Sequence, residues 1–217
     1  MRTDDLISQL SGDLKPVRRI AAPWRSAAGW LGLALLVVGA AVAITGLRHD
    51  LPTRLMLPEE RVNLAAALLT GIAAAFAAFQ LALPDRSPRW ALLPLPFAAF
   101  WVSGLGWGCL RDFMEQGTLQ LGVSMACMRF ILGFGIPLTA AMLWMTRHAA
   151  AIRPAPVAAL GGLAAAAVAS VGLTLVHHLD AAAMVLVWHG GSVALVTLLA
   201  WLVGPRAMRG AVSARAS

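Results

Sequence analysis

APVAALGGLAAAAVASVGLTLV, running from Ala155 to Val176, is rich in alanine and glycine and holds no charged residue. At a rise of 1.5 Å per residue, about 20 apolar residues cross the roughly 30 Å hydrocarbon layer of a bilayer as a helix. Similar runs lie on both sides of it. They are Ala27–Leu47, Val62–Leu83, Ala91–Leu110 with Pro94 and Pro96 in its opening turns, Gly122–Thr146 interrupted by Arg129, and Ala181–Gly204 with His189 inside it. The connection from His177 to Asp180 is so short that the fifth and sixth runs must form a tight antiparallel pair. None of the runs shows the period-two alternation of membrane strands. The predicted class is all-α: a polytopic membrane protein of six transmembrane helices, with no internal duplication.

Composition points the same way. Of 217 residues, 59% are hydrophobic and 12% charged, with a mean hydropathy of +0.76. A soluble domain carries about 25% charged residues. The net charge of +7 does not make this a nucleic-acid-binding chain. Lys15 is its only lysine, and its arginines sit in short interhelical segments without interleaved aromatics. Basic residues that flank spans set orientation. With the N-terminal segment in the cytoplasm, twelve of the seventeen Lys and Arg fall on that side. Arg48, Arg54, Arg61 and Arg111 fall on the other, and Arg129 lies inside a span. Both termini are therefore expected in the cytoplasm. The expected organisation is a cytoplasmic N-terminal segment over residues 1–26, a six-helix membrane unit over 27–204 and a cytoplasmic tail over 205–217. The first apolar run begins late and is too long for the core of a cleaved signal peptide.

Residues Thr3 to Val17 predict a short amphipathic helix. Thr3 is placed to cap it, and Asp4 and Asp5 suit the positive end of its dipole. Leu6, Ile7, Leu10 and Leu14 follow the i, i+3/i+4 rule for one apolar stripe. Such a helix is marginal alone in water and needs a surface to pack on: the inner leaflet, or a groove on a cytoplasmic protein.

The two cysteines, Cys109 and Cys127, match no C-x-x-C pattern, and in this topology both lie near the outer boundary. His177 and His178 occupy the last outer loop, and His189 sits in the sixth span. Thiols and imidazoles on an oxidising face suit a disulfide trigger or a soft metal ion; the alternative is that the cysteines are small packing residues, the loop histidines are solvated and His189 hydrogen-bonds across helices. Arg129 is costly in lipid and should face a partner or snorkel outward; Asp112 and Glu115 in the adjoining outer loop are the plausible partners, and a structural ion pair is favoured. The chain carries no P-loop, G-x-S-x-G or H-E-x-x-H motif, and enzyme chemistry is not expected.

Several stretches resemble one family. Thr3-Asp4-Asp5-Leu6-Ile7, then Leu10, then Asp13-Leu14-Lys15-Pro16-Val17-Arg18 closely resembles the N-terminus of the NrsF-type anti-sigma factors of proteobacteria. Trp107-Gly108-Cys109-Leu110-Arg111, Cys127 and Trp188-His189 resemble that family's segments in the third, fourth and sixth spans. The likeness implies a multi-pass protein of the bacterial inner membrane. It implies that Leu6, Ile7, Leu10, Leu14, Val17 and Arg18 contact an extracytoplasmic-function sigma factor, which is released on envelope, metal or oxidative stress. It places sensing on Cys109, Cys127, His178 and His189, with no cofactor required unless a metal ion is the trigger. The chain departs from the family at His177-His178-Leu179, where a His-Cys-Pro segment is expected. A small transporter or metal-handling membrane protein is the alternative function.

Overall fold

The computed structural model describes residues 2–12, 21–118, 122, 124–147, 149, 152–177 and 181–213. Six helices are long and apolar enough to cross a membrane. The first is α2 (Pro23–Thr45), after the short N-terminal helix α1 (Thr3–Gly12). A single turn, α3 (Leu51–Arg54), leads to α4 (Pro58–Leu81). A 3₁₀ turn over Pro88–Leu92 precedes α5 (Leu95–Gln116), and α6 (Met125–Thr146) and α7 (Pro154–Val176) follow. The last span is α8 (Ala182–Val185), a π-helical turn (Leu186–Gly190) and α9 (Gly191–Ser213). Among the described residues there is no β-strand.

The prolines explain several boundaries. α2, α4, α5 and α7 each open with proline in the first two positions, where a missing N–H costs nothing and φ is already helical. This corrects the third run, expected to start at Ala91. Pro94 and Pro96 set a new helix start there, and the span reaches further, to Gln116.

α7 is the axis of the bundle. It packs against α9, α4, α6 and α2. Its apolar window is 67% buried, against 17% for the α5 span. Small side chains make this possible. A Cβ on Gly162 would come within 2.8 Å of Ala200 Cβ and 3.0 Å of the Val196 carbonyl, so α7 and α9 pack backbone against backbone. On another side, buried Trp30 of α2 donates from Nε1 to the Leu138 carbonyl of α6 at 3.0 Å.

The outward faces are apolar. Ile44 is 87% exposed, Leu36 70% and Phe100 61%. At the end of the bundle that carries the chain termini, Arg25 stacks over Trp24 at 5.1 Å and Arg147 over Trp144 at 4.3 Å. Arg153 Nη1 there donates to the Arg86 carbonyl at 3.4 Å, joining two connections. An apolar waist with Trp–Arg pairs at its rim suits a bilayer and its interface.

Candidate functional site

Two features stand apart from the packed core: the N-terminal arm, and a polar cavity at the end of the bundle away from the termini.

In α1 every described side chain is exposed, Leu6 by 40% and Ile7 by 59%. Leu6 and Ile7 thus stand uncovered. The cap differs from expectation. The helix begins at Thr3, and Asp5 reaches back to accept from the Arg2 backbone N–H at 3.3 Å, the reciprocal half of a capping box. α1 is described as far as Gly12, so Leu14, Val17 and Arg18 of the expected stripe and its flank lie outside the described residues. Leu10 lies within the helix.

The cavity, of about 140 Å³, is lined from α3, α4, α5, α7 and α8 and from the segments next to them. Its construction starts at Gly46, whose φ of +85° turns the chain out of α2. The Arg48 N–H then donates to the Leu175 carbonyl of α7 at 3.0 Å. The Arg48 guanidinium, almost fully buried, grips Asp50 with two bonds of 2.7 Å. Arg54 bridges Asp50 at 3.5 Å and Glu60 at 3.2 Å. Arg111, near the end of α5, reaches Glu59 of α4 at 3.3 Å. Asp112 accepts from the Ala182 N–H at 3.2 Å and so holds the start of α8. Gly108 permits that approach, because a Cβ there would meet Ala182 Cβ at 2.8 Å.

The π turn places the Trp188-His189 pair. Trp188 Nε1 donates to the Gly122 carbonyl at 2.8 Å, tying the last span to the α5–α6 connection. His189 is 4% exposed; its Nδ1 lies 3.1 Å from the Ser170 hydroxyl of α7, and the ring lines the cavity.

The sensing candidates divide. His189 lines the cavity, whereas Cys109 and Cys127 do not. Both cysteines are free thiols. Cys127 is fully buried, packs with Ala66, Trp101, Ile131 and Val196, and accepts from Ser124 Oγ at 2.9 Å. Cys109 is partly exposed on α5. His178 lies outside the described residues. Among the described residues, no three His, Cys, Asp or Glu side chains group as a metal-ligand set.

Arg129 is a correction. It does not pair with Asp112 or Glu115; its Nε donates to the Met125 carbonyl one turn back at 3.3 Å, on an exposed face. Asp112 is committed to Ala182 instead. The cavity residues Arg48, Glu59, Asn63 and Ser170 escaped the sequence reading. One signal was present: Glu59-Glu60 follow Pro58 directly, a helix start with its negative charges at the dipole's positive end.

A helical bundle with six candidate spans, a charged cavity at one end and an exposed arm before the first span is the build of a multi-pass membrane protein. The comparisons are specific. The family described as "Negative regulator of sigma F" (NrsF) matches residues 10–209, nearly the whole chain, and the chain belongs to it. The probable anti-sigma-F factor NrsF of Azospira oryzae is 30% identical over 178 residues, covering 79% of this chain and 82% of that protein. No solved structure matches. The matched stretch begins at Leu10, so Leu6 and Ile7 precede it, while Leu14, Val17, Arg18 and both cysteines fall within it.

Proposed function

We propose that this chain is a membrane-anchored anti-sigma factor that holds an extracytoplasmic-function sigma factor through its N-terminal segment. The observation that carries the reading is α1: an amphipathic helix whose described side chains, Leu6 and Ile7 included, are all uncovered. An uncovered apolar stripe on a short helix is what a groove on a partner protein recognises. Leu6, Ile7, Leu10, Leu14, Val17 and Arg18 form the binding segment. The bias of Lys and Arg toward the terminal end supports both termini in the cytoplasm, where a sigma factor is found. The family membership supports the class of partner.

The six spans then act as anchor and sensor. Envelope, metal or oxidative stress acts on the opposite end, through Cys109, Cys127, His178 and His189, and shifts the bundle between two packings. No step of this requires catalysis. The test is purification of the full chain from its native membranes in mild detergent. A sigma factor should co-purify with the full chain and be lost when residues 1–20 are deleted, with the membrane level of the deletion unchanged. Equal recovery of the sigma factor with both chains would remove the N-terminal segment from the contact.

A further inference from the structure

Arg48, Arg54 and Arg111 line the cavity with Glu59, Glu60 and Asp112, and Asp50 behind the lining adds a fourth carboxylate. The three guanidiniums are each already held by a carboxylate: Asp50, Asp50 with Glu60, and Glu59. The remaining lining carboxylate is Asp112. It accepts one backbone N–H and makes no ion pair among the described residues. His189 adds an imidazole that is 96% removed from solvent by its 4% exposure, with Nδ1 fixed by Ser170 and no hydrogen bond to its other nitrogen among the described residues. A polar ring at such a position is expensive in an apolar bundle and marks a functional site. Trp101 and Trp107 supply aromatic walls.

From this arrangement we infer that the cavity is a binding site for a small organic ammonium ion. A surplus carboxylate attracts a cation, and aromatic walls favour an ammonium over a strongly hydrated inorganic ion. The absence of a three-ligand group among the described residues turns the choice away from a metal. Each arginine is already engaged by a carboxylate, which weakens its pull on an anion. The volume of about 140 Å³ accommodates several heavy atoms rather than one water. Asp112 is the anchor and His189 the second polar contact. Because Asp112 also holds Ala182, occupancy would be felt at the start of the last span. The inference concerns binding alone and does not rest on the sigma-factor reading.

The full chain in lipid nanodiscs, with no sigma factor present, is titrated with ethylammonium chloride while tryptophan fluorescence and heat are followed. Sodium chloride and sodium acetate at equal ionic strength are the controls. Ethylammonium should give a saturable signal that the controls do not. Asp112→Asn should weaken it at least about tenfold, equivalent to about 1.4 kcal/mol. Glu115→Gln, an exposed carboxylate outside the lining, should leave it within about twofold. Trp107→Leu changes an exposed wall residue and provides a second reading if Asp112→Asn does not fold; it should weaken binding at least about threefold. The inference is overturned by a non-saturable signal, by an equal response to sodium acetate, or by unchanged affinity in both Asp112→Asn and Trp107→Leu.

Discussion

Cys127 and Cys109 occupy opposite environments, and that difference decides what each thiol can do. Cys127 is sealed among Ala66, Trp101 and Ile131, with the Ser124 hydroxyl on its sulfur. Cys109 is partly exposed on α5. Thiol chemistry requires access. A membrane-permeant maleimide should therefore label Cys109 at least about tenfold faster than Cys127 in the folded protein, with the two rates converging after unfolding in SDS. Mass spectrometry of the two peptides reads this directly, and equal rates in the folded state would show that α6 opens at Cys127. The cysteines and His189 stand out in the sequence because the chain has two cysteines and five histidines. Their surroundings do not, because Ser170 and Ser124 look like incidental hydroxyls until α7 and α6 are placed. Arg129 shows the limit of reasoning by proximity along the chain. Asp112 and Glu115 were the nearest carboxylates in sequence, yet the helix offers Arg129 the Met125 carbonyl on its own surface.

At the scale of elements, α7 shows why a run of small residues belongs at the centre. Gly162 lets α9 come so close that any side chain would meet Ala200, Thr197 and Val196. Gly162→Val should cost about 1–3 kcal/mol by overpacking, read as a lower midpoint in SDS titration. Gly32→Ala on α2, where a Cβ meets nothing within 4 Å, should be neutral or stabilising by about 0.5–1 kcal/mol. Similar midpoints for the two variants would contradict the close α7–α9 contact. The six spans were legible because length and apolar content suffice to define them. The π turn at Leu186–Gly190 was not, since one extra residue in a helical turn leaves no compositional trace. The cavity was equally hidden, because its walls come from segments far apart in the chain. In α1 the helix was legible as far as Gly12, but its cap lies one position earlier than expected, with Asp5 bonded to Arg2.

For the molecule as a whole, function depends on which end faces which compartment. The Arg25–Trp24 and Arg147–Trp144 pairs sit at the terminal end, and the ion pairs of Arg48, Arg54 and Arg111 at the other. Reporter fusions at Arg86 and Arg147 should read cytoplasm, and fusions at Arg54 and Gly117 the opposite side; a reversed pattern would place the arm out of reach of any sigma factor. The proposed division of labour puts the sensing end and the effector arm on opposite sides of one bundle. Its central claim is that the uncovered stripe of α1 is the sigma-factor contact. The most direct measurement is the affinity of the purified full chain, in nanodiscs, for the sigma factor that co-purifies with it, compared with Ile7→Glu on the stripe and Ser8→Glu off it. Placing a carboxylate against an apolar groove should raise the dissociation constant at least about 100-fold for Ile7→Glu, or about 2.7 kcal/mol. Ser8→Glu should stay within about threefold of the unaltered chain. An unchanged dissociation constant for Ile7→Glu, with α1 still helical, would contradict the account.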